Sequence, residues 1–276
     1  MYFASHSAIA PFSLHEPKTA QEAATLIGAH PDAAFLAGGV DLVPQMRAGA
    51  TVSDLVALQG VDGLNVVAAD ASGLTMGGGA TFDQLLSDPA AAAHFPEFMQ
   101  RVADIGNIRV RCAATVGGNL ATRNAGYDLL PLLLAADASV RVVTPGGETP
   151  WPMPQGFVDW APDGLIDRIS IPAPDRAVLL LERRFKPVAS VAMGLWHQAG
   201  RLMGRMAVGC AFDRIWTADL PEGAASLNDL AQDAADVAAR MIVDLPTPAD
   251  DPIASGSYRK RLIETVVRRQ LESAGA

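Results

Sequence analysis

The chain has 276 residues, half of them hydrophobic, which is enough apolar material for two domains or one elaborate one. Its net charge of −9 argues against a nucleic-acid or anionic-membrane partner, because either selects for a basic face. The two cysteines, Cys112 and Cys210, form no CxxC pair, so cysteine can build neither an iron–sulfur cluster nor a zinc site here, and a reducing compartment fits.

In chain order, Thr19-Ala20-Gln21-Glu22 reads as a capping box, predicting a helix to about residue 29. Residues 33–39 (AAFLAGG) are expected to form a short buried strand closing in a turn. Asp41 is placed to cap a brief helix through Arg47, and residues 54–59 predict another strand. Two further strands flank a turn at 71–73. Thr81-Phe82-Asp83-Gln84 is a second capping box, with a helix to about Ser87. A longer helix, broken by Pro96, is predicted over about 90–103.

Residues 105–121 read as irregular and glycine-bearing. Asp128 precedes a buried helix with Pro131 in its first turn, where a missing N–H costs nothing. Residues 139–144 alternate as a strand, and Pro145-Gly146-Gly147 turns the chain. Pro172-Ala173-Pro174 marks a boundary. Beyond it, strands are predicted near 177–185, 190–197 and 201–212, then helices over about 226–241 and 255–273. The first block alternates strand and helix, and the second reads as an antiparallel sheet followed by helices, an α+β chain. No apolar run reaches the ~18 residues of a membrane span. The N-terminus has neither the basic nor the apolar region of a signal peptide, so a cytoplasmic location is expected.

Two glycine pairs, Gly38-Gly39 and Gly117-Gly118, each follow an apolar segment and lead to a possible helix start. Backbone N–H groups at such turns can converge on an anion, and a helix start adds partial positive charge. Two such loops suit the two phosphates of a diphosphate, although an ordinary turn explains either one alone. Neither is a G-x-G-x-x-G fingerprint or a Walker A loop. The histidines (His6, His15, His30, His94, His197) lack HExxH or HxH spacing, so no metal site is expected, and no G-x-S-x-G marks a nucleophilic serine. No catalytic residue is assigned.

The stretch FLAGGVDLVPQM (35–46) resembles the first flavin loop of the FAD-binding, medium subunits of molybdenum hydroxylases, the xanthine dehydrogenase and carbon monoxide dehydrogenase family. Residues 105–138 are similar to that family's second flavin segment, including Ile105-Gly106, Arg111, Thr115-Val116-Gly117-Gly118-Asn119 and Asp128-Leu129. The tail SGSYRKRLIETVVRRQLE also looks like the family's last helix. The resemblance implies an FAD-binding domain over 1–172, with α/β subdomains of about 1–60 and 61–172, and an α+β C-terminal domain over 175–276. It implies that Leu36, Ala37, Gly38, Gly39, Val40, Asp41 and Leu42, with Thr115, Val116, Gly117, Gly118 and Asn119, wrap the diphosphate. Ile105 would pack against the cofactor, Ile166 would touch its rings, and Asp128 would bond near the ribose and adenine end, where Tyr127 could stack.

The same resemblance implies a [2Fe–2S] subunit and a molybdopterin subunit as partners, in a heterotrimer or its dimer, with this chain passing electrons to an external acceptor. Relatives often carry a basic residue and a glycine where Ala113 and Ala114 stand, and a lysine where Leu179 or Leu180 stands, so the acceptor is left open. Arg183 and Arg184 face either a partner subunit or a surface carboxylate. A self-sufficient flavin oxidase on the same fold and a flavin-free assembly subunit are the competing expectations.

Overall fold

The computed structural model describes residues 9–153, 164–172, 175–183, 188–223 and 226–275. Parts of two expected features, Ala173 and Pro174 of the boundary and Arg184 and Phe185 beyond it, lie outside the described residues.

Three sheets organise the described residues. Strands β1 (Ser13–His15), β2 (Ala33–Leu36) and β3 (Asp54–Ala57) form a parallel sheet in the order β1-β3-β2. Helix α1 (Ala20–Ala29) connects the first two, and its capping box is present: the Thr19 hydroxyl accepts from the Glu22 N–H while the Glu22 carboxylate accepts from the Thr19 N–H. β2 is half-buried along its length rather than buried. β1, three residues long, is too short to show an alternation in the sequence.

The second sheet runs β4-β5-β8-β6-β7, from Val67–Asp70, Gly73–Gly77, Leu165–Pro172, Ser139–Thr144 and Gly147–Pro152, with every described pairing antiparallel. Between β5 and β6 lie α3 (Phe82–Leu86), α4 (Pro89–His94), α5 (Pro96–Ala103), α6 (Ile108–Ala113), α7 (Val116–Ala121) and α8 (Leu129–Ala135). The predicted break at Pro96 is there, with Phe95 as the joint. Residues 105–121, expected to be irregular, instead form α6 and α7. Asn107 and Thr115 cap them, each side-chain oxygen accepting from backbone N–H groups of the first turn. Cap residues at that spacing were the signal, hidden because each helix is too short to show a periodicity.

All seven residues of α8 are buried. Each leucine removed from water in this way contributes about 1.5–3 kcal/mol, which more than offsets a proline in the first turn. Together with Phe82, Phe98 and Leu120, α8 forms the centre of the largest core.

The third sheet, β12-β11-β10-β9, is antiparallel and built from Trp216–Asp219, Arg201–Gly209, Ser190–Gln198 and Asp175–Arg183. β11 ends at Gly209, short of the predicted residue 212, because Cys210 takes a left-handed conformation (φ 62°) that no strand continues through. The single helix expected over 226–241 is two, α9 (Leu227–Gln232) and α10 (Ala234–Met241), divided at Asp233 (φ −100°, ψ 16°). Helix α11 (Gly256–Ala274) closes the core of this unit with Ile263, Val266, Val267 and Leu271. Among the described residues, no helix is long and apolar enough to cross a membrane.

Candidate functional site

The first glycine loop leaves the C-terminal end of β2. Gly39 has φ +67°, a conformation that costs a β-carbon-bearing residue roughly 1–2 kcal/mol. The backbone N–H groups of Gly38, Gly39, Val40 and Asp41 have no acceptor among the described residues, so four donors stand open in sequence. Helix α2 (Leu42–Arg47) follows at once. The expected cap by Asp41 is not made: its own backbone is already helical (φ −101°, ψ −49°). Its carboxylate accepts instead from Gln45 Nε2 at 2.7 Å and from the Tyr127 hydroxyl at 3.2 Å. Burial, with the nearby Asp41 charge, pushes the Tyr127 hydroxyl above its ordinary pKa and keeps it a donor. Tyr127 therefore ties the two loops together.

The second loop is built differently. Thr115, nearly buried, caps α7 by accepting from the Gly118 N–H at 3.0 Å. The Val116 N–H donates to the Ala80 carbonyl (2.9 Å), that of Gly117 to Gly78 (2.8 Å), and that of Asn119 to Thr115 (2.9 Å). The N–H groups from Val116 to Asn119 are thus already satisfied by protein, which corrects the expectation that this pair offers bare donors to a phosphate. The glycine at 117 is required because its backbone lies flush on Gly78, where a β-carbon would come within 2.6 Å of the carbonyl oxygen. The Gly77-Gly78-Gly79 run, read from sequence only as part of a strand, is the platform on which the second loop sits.

The two loops touch. A β-carbon on Gly38 would fall on the Ala113 carbonyl, and one on Gly118 would lie 3.5 Å from Ala37 Cβ. Gln59 Nε2 donates to the Ala37 carbonyl at 2.6 Å and fixes the first loop from the other side. Arg111 does the same for the approach to the second loop, donating to the carbonyls of Ala103, Ile105 and Gly106. So the open donors of the first loop lie against a second segment held rigid by its own hydrogen bonds.

Asp128 is 5% exposed and receives Arg183 Nη1 from β9 at 2.5 Å on one oxygen; the other, Oδ1, is buried with no partner. Burial raises its carboxyl above the usual range, and Arg183 opposes the shift. Arg183 therefore faces neither a surface carboxylate nor open solvent alone but pins the third sheet to the segment that carries the second glycine pair. Asn119 Oδ1 is likewise buried and partnerless. Orphaned buried oxygens are rare in native proteins and mark a place for a donor that the protein does not supply. Donor groups of a nucleotide, such as ribose hydroxyls or an adenine amino group, fit that requirement, while its phosphates fit the open N–H run. Ile105 and Ile166 are 8% and 5% exposed and belong to the main core, and Val116 is fully buried. Leu36 and Leu42 are half-buried and Val40 is exposed.

Residues 10–174 match the family described as the FAD binding domain in molybdopterin dehydrogenase. The chain belongs to this family. It is 27% identical over 271 residues to the nicotine 6-hydroxylase medium subunit of Paenarthrobacter nicotinovorans, covering 94% of this chain and 96% of that one. It is 30% identical over 142 residues to a xanthine dehydrogenase FAD-binding subunit of Escherichia coli O157:H7, covering 49% of this chain and 47% of the other, so that match spans about half of either protein. In fold it resembles a chain of the reconstituted CO dehydrogenase from Oligotropha carboxidovorans, with a TM-score of 0.83 at 24% identity, over 98% of this chain and all of that chain.

One grouping lies apart from this site. His15 on β1, His30 after α1 and Asp54 on β3 bring their ligand atoms within 4.8 Å of one another. Linear spacing gave no hint of it, because parallel pairing across the first sheet assembles the three.

Proposed function

We propose that this family member is the FAD-carrying, electron-transfer subunit of a heteromeric molybdenum hydroxylase. A small [2Fe–2S] subunit and a large molybdopterin subunit would complete it, as a heterotrimer or its dimer. The single observation that carries the reading is the open N–H run at Gly38–Asp41, set against a rigid second segment with two partnerless buried oxygens. When bound, FAD would supply the redox chemistry between the partner cluster and an external acceptor.

This chain's residues bind and orient. Gly38, Gly39, Val40 and Asp41 would donate to the diphosphate, with the start of α2 adding partial positive charge. Asn119 Oδ1 and Asp128 Oδ1 would accept from nucleotide donors. Thr115, Val116, Gly117 and Gly118 would hold the shape of that wall rather than lend N–H groups. Leu36, Ala37 and Leu42 would line its apolar approach. Ile105 and Ile166 would present their small exposed edges to the flavin, and the bulk of each would exclude water from beneath it. The division into an FAD-binding domain before about residue 172 and a C-terminal domain after it follows the same reading, with Arg183–Asp128 as a tie across the boundary.

Gly39→Asp tests this. Aspartate tolerates a left-handed turn, so the fold should survive, whereas its charge would sit beside the diphosphate. The expected result is wild-type circular dichroism with flavin-to-protein absorbance reduced to a small fraction. Unchanged flavin content would overturn the assignment. A colourless wild-type protein would favour the flavin-free assembly subunit, and oxidation of an organic substrate by this chain alone would favour the self-sufficient oxidase.

A further inference from the structure

We propose that His15, His30 and Asp54 form a binding site for one divalent transition-metal ion of the zinc class, outside the flavin site. Three separate elements supply the donors: β1 carries His15, the end of α1 carries His30, and β3 carries Asp54. His15 Nε2 is 2.7 Å from Asp54 Oδ1, and His30 Nδ1 is 3.7 Å from Oδ2. The two rings lie with centroids 5.2 Å apart. A histidine merely paired with an aspartate uses one imidazole; here a second faces the other carboxylate oxygen.

Metal–ligand bonds of about 2.0–2.2 Å at tetrahedral angles hold ligand atoms about 3.3–3.6 Å apart. The two histidine–carboxylate separations, each to a different oxygen of Asp54, fall on either side of that value. All three ligand atoms lie within 4.8 Å of one another, and all three side chains keep some freedom to close on an ion, at 26%, 39% and 14% exposure. The Ser53 hydroxyl donates to Asp54 Oδ2 at 2.7 Å and orients the carboxylate, the outer support that metal ligands commonly have. Hydrogen bonds from His15 and Ser53 also hold the Asp54 carboxyl below the usual range, so it is available as an anion. Two imidazoles with one carboxylate select zinc, cobalt or nickel over magnesium or calcium, which take oxygen ligands, and leave one position open to water. Bound there, the ion would clip the end of α1 to the edge of the first sheet.

The test is zinc(II) titration by calorimetry on the full chain, tag-free and stripped with chelator, in a Cys112→Ser background that removes the exposed thiol. One equivalent should bind, cobalt(II) should give tetrahedral visible absorption, and magnesium should not compete. His30→Gln alters a half-exposed helix end without touching the core, and it should weaken zinc by more than the roughly 10–100-fold typical of losing an outer-sphere partner. His15→Gln should do the same. Flavin content should be unaffected by either, which separates this proposal from the preceding one. No zinc bound by the parent, affinity unchanged from the parent in either histidine variant, or magnesium binding as tightly as zinc would each overturn the site.

Discussion

Asp128 is where burial and charge compete most directly. Burial raises its carboxyl and Arg183 pulls it back. A carboxyl raised in the folded state lends stability at low pH and loses it as pH climbs through its folded value. Without Arg183 that folded value moves higher, so the loss at neutral pH grows. Arg183→Leu should therefore destabilise the fold by about 1–3 kcal/mol at about pH 7.5; the figure is lower than for a fully buried pair because the arginine side chain is 40% exposed. The gap to wild type should close on acidification to about pH 4.5. Urea denaturation at both pH values measures it, and a gap that widened in acid would contradict this account. Asp128 and both glycine pairs stand out in the sequence by residue type and spacing alone. The sequence could not show that Arg183 would reach Asp128, because 55 residues separate them and only the docking of the third sheet brings them together. Nor could it show that Gly117 abuts Gly78, since both a phosphate and a backbone demand the same missing side chain.

Short elements carry this fold, and their ends decide its shape. Helix α7 has six residues, below the length at which propensity alone sustains a helix, so its cap matters more than its composition. Thr115→Ala removes the acceptor for the Gly118 N–H and should cost about 1 kcal/mol. Differential scanning calorimetry would read this as a fall in Tm, and Thr115→Ser should recover most of it. A Thr115→Ala protein as stable as the parent would show that α7 is held by tertiary contacts instead. The long or strongly capped elements were legible from sequence: α1 and α3 from their capping boxes, α8 from its run of leucines, β6 from its alternation. The rest were not. β1, β7 and β12 are short or edge strands, and the α9–α10 break turns on one residue, Asp233, that any surface helix could contain. Local pattern has too few residues there to outvote context.

At the scale of the molecule, the largest apolar cluster runs from the second sheet onto the third through Leu179, Ala192 and Ala207, and polar stitches reinforce the packing. Helix α11 is stitched to the third sheet by Arg259, 3% exposed, which donates to the carbonyls of Val188 and Cys210 and pairs with Asp251. Gln270 donates to the Val191 carbonyl at 2.9 Å further along. Arg259→Leu would leave two carbonyls without a charged donor and should cost about 1.5–3 kcal/mol. Limited proteolysis should then cut the region after residue 188 first, while flavin absorbance persists; simultaneous loss of both would mean that the units unfold together. The brace beneath Gly117 has a different reach, into descent. Because its N–H groups serve the scaffold, a lineage that discarded its nucleotide would still keep Thr-Val-Gly-Gly, while the run from Gly38 to Asp41 drifted. Searches keyed to the second signature would go on recovering such colourless cousins, and only the first would tell them apart.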